Sequence, residues 1–434
     1  MTAFSLEPAQ LAWCAELRAL AAERLRPLAD KGEPGQVNRA LVAELGSLGL
    51  LGRLFTSGAL DLCLMRESLA YACTEAETAL ALQGLGAHPV HAYGTQAQRT
   101  RWLPPVTAGT AVAAFALSEP GAGSDAAALG LRAEPDAAQD DRAPAATAPT
   151  AATALAADPA PTAATALAAG PASTAAAAVA AGPAPAATTL TAAPDGTARW
   201  RLTGEKCWIS NAPEADFYTV FARTTPGAGA RGVTAFLVPA DRPGLTGRGL
   251  DMLSPHPIGA LGFDAVPVTA DDVLGEVDRG FRVAMGTLNL FRPSVGAFAV
   301  GMAQAALDAT LAHTAGRDAF GGKLSDLQAV SHQVAEMALR TEAARLMVHA
   351  AASAYDADAP DVPRRSAMAK LLATETAQYV VDTAVQLHGA RALQRGHLLE
   401  HLYREVRAPR IYEGASEVQR GIIAKELYAR QEAR

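Results

Sequence analysis

The sequence predicts an α+β protein in three parts: an N-terminal α-helical domain over residues 1–112, a middle β-barrel or sandwich domain over 113–275, and a C-terminal four-helix bundle over 276–434. Three observations predict it. A length of 434 residues corresponds to roughly three domains of about 150 residues each. Apolar residues recur at helical period at both ends of the chain, with short β-type runs between them. Half of the residues are hydrophobic, which is ample for a large core.

In the first part, Leu11, Leu17, Leu20 and Leu25 recur among Glu16, Glu23 and Arg24, an amphipathic helix rather than a signal peptide. Leu41, Leu45, Leu48 and Leu51 mark another helical stretch, and a helix is expected from about Leu60 to Cys73. Gly46, Gly49, Gly84 and Gly86 are expected to break the pieces apart. In the middle part, four short strands are expected: Trp200–Thr203, Lys206–Ile209, the alternating run 217–222 and the run 233–238. In the last part, Leu327, Val330, Val334, Met337, Thr341, Ala344 and Met347 follow spacings of three and four. Pro360 and Pro363 mark a break before a helix from about Arg365 to His388. Helices, strands and helices in succession make separate layers, and the C-terminal set is long enough for a bundle.

Residues 135–195 are mostly Ala, Thr and Pro, with a near-repeat of twelve residues over 150–161, 162–173 and 174–185. Each unit offers one Leu or Val among alanines, too little to offset ordering costs of about 1–2 kcal/mol per residue. The segment is expected to be a disordered insertion in a surface loop of the β domain, with a docking tether as the functional alternative.

Charge and cysteine usage narrow the class. Forty-four acidic against 37 basic residues leave a net charge of −7, which excludes the positive field that nucleic acid or anionic membranes require. No apolar stretch is expected to reach the roughly 18 residues that span a bilayer. Cys14, Cys63, Cys73 and Cys207 are too few and too scattered for a disulfide scaffold or a zinc site, so a reduced, cytoplasmic protein with no metal is expected.

Three motifs carry chemistry. Phe115-Ala-Leu-Ser-Glu-Pro-Gly-Ala-Gly-Ser124-Asp125 runs from a strand into a loop whose glycines let backbone N–H groups approach an anion or a planar ring. By itself it is also a plain Pro-Gly turn. Lys206-Cys-Trp-Ile-Ser210-Asn211 sets an indole beside a hydroxyl, suited to the face and edge of a flat heterocycle, or else a core Trp before a turn. In Arg410-Ile-Tyr-Glu413-Gly-Ala-Ser-Glu-Val-Gln-Arg420, a desolvated Glu413 would have a raised pKa and serve as a base. Alternatively Glu413 and Glu417 are solvated acids at a helix start.

In this order and at these separations the motifs resemble the acyl-CoA dehydrogenase family, over nearly the whole chain outside the insertion. Gly316-Arg-Asp-Ala-Phe-Gly321 with Gln328, and Val385-Gln-Leu-His-Gly389, belong to the same resemblance. It implies the three-domain fold above, a homodimer or homotetramer, and FAD held between the β domain and the bundle. It implies that Phe115, Leu117, Ser118, Gly123 and Ser124 line the flavin and thioester side, and that Trp208, Ile209 and Ser210 pack on and bond to the isoalloxazine. Arg317, Phe320, Gln328, Gln386, Leu387, His388 and Gly389 would hold the pyrophosphate and adenosine part from the neighbouring subunit, where the planar fork of an Arg matches phosphate oxygens. Ala415 and Glu417 fall at further cofactor positions, and Ser124, Asn289, Arg292, Glu413 and Gly414 at substrate positions.

The activity implied is FAD-dependent α,β-dehydrogenation of an acyl thioester in fatty acid metabolism. Glu413 matches the family's base, which takes the α-proton while a β-hydride passes to flavin N5, and the enolate-like oxygen is held by a flavin hydroxyl and the base's backbone N–H. Some members place the base just before the bundle's Arg; that position here is Phe291, which cannot abstract a proton. An electron-transfer flavoprotein is the implied acceptor.

The sequence departs from the family at Ala390-Arg391-Ala392-Leu393 (usually Gly-Gly-x-Gly), at Ala415 (usually a hydroxyl), at Asn289 (often acidic) and at Phe55-Thr-Ser-Gly58 (usually Tyr-Gly-Gly). These sites lie toward the adenosine part or the substrate mouth. They leave open whether the acyl group rides on CoA or on the phosphopantetheine arm of a carrier protein, with O₂ as another acceptor. A flavin-free scaffold is the non-catalytic alternative.

Overall fold

The computed structural model describes residues 6–136 and 198–432. The expectation of a disordered insertion over 135–195 lies outside the described residues, except that Pro135 closes a strand and pairs with Trp200. The N-terminal helices are α1 (Pro8–Leu20), prolonged by a π-helical turn (Ala21–Leu25) into α2 (Arg26–Ala29), then α3 (Arg39–Ser47), α4 (Leu50–Thr56), α5 (Ala59–Ala72), α6 (Thr74–Tyr93) and α7 (Gln96–Thr107). Asn38 caps α3 by accepting from the Leu41 N–H, and Thr95 with Gln98 forms a capping box on α7.

Gly49, with φ at +72°, separates α3 from α4. The other expected glycine breaks are not breaks. Gly46 lies inside α3, and Gly84 and Gly86 lie inside α6. There the missing side chain serves close packing: a Cβ at Gly86 would stand 2.6 Å from the Ala114 N of the neighbouring strand, and one at Gly84 would stand 2.7 Å from the Phe291 ring.

The middle region has β1 (Ala113–Ala116), β2 (Arg132–Pro135), β3 (Arg199–Ser210), β4 (Phe217–Arg223), β5 (Val233–Pro239), β6 (Leu245–Gly249) and β7 (Ile258–Thr269) in one seven-stranded sheet. The two runs expected as separate strands at 200–203 and 206–209 form the single twelve-residue β3, irregular in its pairing with β7 near Gly204 and between Lys206 and Ile209. One edge of β4 is shared by β1, in parallel register, and by β2 through the Arg132–Arg223 pair; β5 covers its other edge. The observed pairing path is a sheet without a closing pair among the described strands, rather than a closed barrel.

The C-terminal region holds α8 (Gly280–Gly316), a minimal hairpin of β8 (Asp318–Ala319) and β9 (Gly322–Lys323), α9 (Gln328–Asp356), α10 (Val362–His388), α11 (Leu398–Glu405) and α12 (Ser416–Glu432). Its core joins α8, α9, α10 and α11 with Ala59, Cys63 and Ala70 of α5, so a helix from the first part completes the packing. By length and composition alone, α8 is long and apolar enough to cross a membrane, contrary to the expectation that no stretch is; 72% of its most apolar window is buried inside the fold. Its apolarity is that of a core helix, wedged against α5, α9 and α10, and its Phe291 belongs to the N-terminal core.

Candidate active site

The first two motifs are brought together by a buried ion pair. Lys206 on β3 is fully enclosed; its Nζ donates to the Leu117 carbonyl at 2.9 Å and to Glu119 Oε1 at 2.7 Å. Glu119 in turn accepts from the backbone N–H groups of Gly130 and Leu131. The Cys207 N–H donates to the Ser118 carbonyl at 3.0 Å, so the loop after β1 is sewn to β3 from backbone and side chain alike. Burial pushes the Lys206 ammonium down to about 8, against the opposing pull of Glu119.

This anchoring lets the chain hold Trp208 in the left-handed region, φ +57°, with its indole 49% exposed. A bulky residue at positive φ is strained and persists only where neighbouring contacts impose it. Asn211, also at positive φ, closes the turn by donating its amide to the Ala113 carbonyl at 2.9 Å. Gly121 and Gly123 lie exposed on the adjacent loop with open space where a Cβ would stand, and Ser118 and Ser124 flank them. An exposed indole beside hydroxyls and unhindered backbone fits the flat ring of a flavin. Ile209 and Leu117 point into the core, so any contact they offer comes from the backbone.

The third motif forms a left-handed turn ahead of α12, Glu413 at φ +51° and Gly414 at φ +98°. Three side chains from three helices grip its carbonyls. Arg292 on α8 donates Nε to the Glu413 carbonyl at 3.3 Å and Nη1 to Asn289 Oδ1 at 3.2 Å. Lys370 on α10 donates to the Gly414 carbonyl at 2.7 Å, and Gln419 on α12 to the same oxygen at 2.9 Å. Ser416 and Arg410, on either side of the turn, both bind Glu375 on α10.

Glu413 is half-buried as a residue, but its Oε2 is turned away from solvent and has no hydrogen-bond partner. Burial raises its pKa, opposed by the charges of Arg66, Lys370 and Arg292. Burial also lowers the Lys370 ammonium to about 8. A desolvated carboxylate without a donor, held by its own main chain, can accept a proton from carbon. Phe291, weighed in the sequence as an alternative base position, is buried in the core and has no group that takes a proton.

The remaining predicted residues gather elsewhere. Arg317, Phe320, Gln328, Gln386 and Gly389 are exposed, Phe320 at 91% and at φ +52°. His313 stacks on His388 at 4.1 Å, which brings the end of α8 to the end of α10 and so unites the Arg317 and Gln386–Gly389 segments. Along α8, Arg317 is roughly 35–40 Å from Arg292 at about 1.5 Å per residue, too far for both to touch one ring. Glu417 is an exposed first-turn acid of α12, 3.5 Å from Arg420, and Ala415 caps that helix only through its carbonyl.

Sequence reasoning missed Lys206, Glu119, Lys370, Gln419 and Arg66. Lys206, Glu119 and Gln419 carried a signal only in lying within singled-out motifs, while Arg66 and Lys370 look like ordinary polar residues of a helix. Among the described residues, no cluster of three His, Cys, Asp or Glu is arranged to hold a metal.

Three family models match the chain: the acyl-CoA dehydrogenase N-terminal domain over residues 7–110, the middle domain over 174–266 and the C-terminal domain over 278–428. The chain is 32% identical over 368 residues to the probable acyl-CoA dehydrogenase FadE25 of Mycobacterium tuberculosis, covering 84% of this chain and 79% of that protein. It is 33% identical over 399 residues to the mitochondrial short-chain specific acyl-CoA dehydrogenase of Bos taurus, covering 89% and 82%. The structure of butyryl-CoA dehydrogenase from Megasphaera elsdenii superposes with a TM-score of 0.79 at 28% identity, covering 98% of this chain and 99% of that one.

Proposed function

We propose that this chain, which belongs to the acyl-CoA dehydrogenase family of FAD-dependent oxidoreductases, removes the α-proton and β-hydride of an acyl-CoA thioester to give the 2-enoyl product, with Glu413 as the base. The observation that carries the reading is the enclosed, unpartnered Glu413 Oε2 on a turn whose carbonyls are held by Arg292, Lys370 and Gln419.

FAD, when bound, supplies the two-electron acceptor. The chain's own residues do the rest. Trp208 and Ser210 offer a face and a hydroxyl to the ring, while the loop from Ser118 to Ser124 leaves its backbone open to the ring and the thioester. Burial raises the Glu413 pKa and so makes its carboxylate a stronger acceptor for the α-proton. Fixing the turn through its carbonyls aims the carboxylate without drawing a donor onto it, so orientation is gained with basicity retained. Arg317 lies too far along α8 from Arg292 to serve the same ring, and the His313–His388 stack sets Gln386 of α10 at that same end; with Gln328 at the start of α9 they would hold the pyrophosphate and adenosine part of FAD bound to a second copy in a homodimer or homotetramer. An electron-transfer flavoprotein would carry the electrons away.

The test is anaerobic bleaching of the purified yellow protein by butyryl-CoA, the substrate indicated by the names of the relatives. Glu413→Gln should keep its flavin spectrum and lose bleaching by about three orders of magnitude or more, in the range seen when a positioned acid–base group is removed. Full bleaching in that variant overturns the assignment of the base. Bleaching by carrier-tethered acyl groups but not by CoA esters would replace the acyl carrier and keep the chemistry.

A further inference from the structure

Two buried charges beside the Glu413 turn have no part in the chemistry above. Arg66 on α5 is 3% exposed and Glu77 on α6 is fully enclosed. The Arg66 Nε donates directly to Glu77 Oε1, and its Nη1 donates to Ser294 Oγ at 2.6 Å. Ser294 lies two residues beyond Arg292 on α8 and donates to the Phe291 carbonyl at 2.8 Å. The guanidinium is thereby tied to the stretch of α8 that grips the Glu413 carbonyl.

Three cations face the Glu413 carboxylate: Arg66, Lys370 and Arg292. Each is occupied elsewhere, Lys370 on the Gly414 carbonyl, Arg292 on the Glu413 carbonyl and Asn289, and Arg66 on Glu77 and Ser294. Lys370 and Arg292 are held by main chain of the turn itself. Arg66 alone is held by a counter-charge, and a guanidinium is the donor best shaped to clamp a carboxylate with two parallel bonds.

We propose that Glu77 is a positioning residue that occupies Arg66 and keeps its guanidinium off Glu413, so that the base stays unpaired. The proposal rests on Glu413 being the base. A carboxylate captured by an adjacent arginine loses one to three pKa units and with them its reactivity. The neighbours of the pair are on the page: Arg66 is faced by Glu77, Glu413 and Tyr412, and Glu77 by Arg66, Thr78, His256 and Tyr412, with Glu405 behind His256.

The experiment uses the FAD-loaded protein. It records the pH dependence of single-turnover bleaching by butyryl-CoA, and the infrared carboxyl band of Glu413 as the difference from Glu413→Gln. In Glu77→Gln the freed guanidinium turns to Glu413, and both the acid limb and the band should move about one unit or more to lower pH. Arg66→Gln removes a cation, and both should move to higher pH. In the double variant Arg66→Gln/Glu77→Gln both should return toward the parent, which general damage to packing would not produce. Should Glu77→Gln fail to fold, Glu77→Asp, which draws the counter-charge back by one methylene, should move both in the same downward direction and decides in its place. Unmoved profiles in folded variants, or a double variant no closer to the parent than the singles, overturn the proposal. Undiminished bleaching by Glu413→Gln would instead overturn the reading beneath it.

Discussion

Lys370, in the third turn of α10, donates its ammonium to the carbonyl of Gly414 at 2.7 Å, 44 positions along the chain. Its aliphatic stem lies buried and its charge ends on main chain rather than on the nearby Glu413 carboxylate. The contact holds the Glu413 turn while leaving the Glu413 Oε2 unbonded. Lys370→Met should therefore retain FAD but slow anaerobic bleaching about 10- to 100-fold, the scale of a small misplacement in a reacting pair, as read by stopped-flow absorbance. Gly414→Ala should be worse: its Cβ would fall 2.3 Å from Gln419 Nε2, at a φ of +98° that side chains rarely adopt.

Lys206 ties the loop after β1, the proposed flavin side, to β3. Lys206→Met leaves the Glu119 carboxylate enclosed without its cation, which costs about 3–5 kcal/mol, and should lower FAD retention on gel filtration. The pH dependence has a definite sign. The folded ammonium titrates near 8, below the unfolded value of 10.5, because burial disfavours the charged form. The cost of burying the charge is present below pH 8 and disappears as pH rises to 10.5. Denaturant titrations at pH 8 and pH 10 should show the wild type gaining on Lys206→Met by up to about 3 kcal/mol.

Gly84 and Gly86 stand two residues apart on α6 but meet different neighbours. At Gly86 a Cβ would strike the backbone of β1, which cannot yield, and Gly86→Ala should cost about 3 kcal/mol or more by thermal melting. At Gly84 the obstacle is the end of the Phe291 ring and a Leu54 methyl. A ring can tilt, and Ala returns about 1 kcal/mol of helix propensity, so Gly84→Ala should be close to neutral.

His88 is depressed to about 4 by burial, helped by the charge of His91, and shares a hydrogen bond with Thr287 Oγ1 at 3.2 Å. Its contribution to stability is full above the unfolded value of 6.5 and is lost as pH falls toward 4, because the unfolded chain takes up the proton first. Replacing it with Leu should remove about 2 kcal/mol of acid destabilisation between pH 6.5 and pH 4, measured by urea unfolding at both ends of that window.

Much of the architecture is legible in the sequence, because helical and strand periods are local. The stripe from Val330 to Met347 lies on the inner face of α9, with Leu327 just ahead of the helix, and the helix expected from Leu60 to Cys73 is α5 within a residue. The misreadings share a cause. Gly84 and Gly86 look like helix breakers by propensity, whereas the approach of β1 and Phe291 makes small residues necessary inside a continuous helix. The apolarity of α8 cannot be judged until its neighbours are known, since core and membrane helices have the same composition.

At the candidate site, the motifs Phe115–Asp125, Lys206–Asn211 and Arg410–Arg420, through the family they resemble, single out Trp208, Ser210 and Glu413 without any coordinates. They are silent on Arg66, Glu77, Lys370 and Lys206 as partners. Arg66 meets Ser294 across 228 positions and Lys206 meets Glu119 across 87, and on paper each is one more charge on a helix or strand. What the chain determined by itself is element type and the chemical identity of the turn at 413, both properties of neighbours in sequence. Which charges face that turn, and whether its carboxylate is dry, was decided only by tertiary packing, because Coulomb attraction and desolvation act through distances in space and not along the chain.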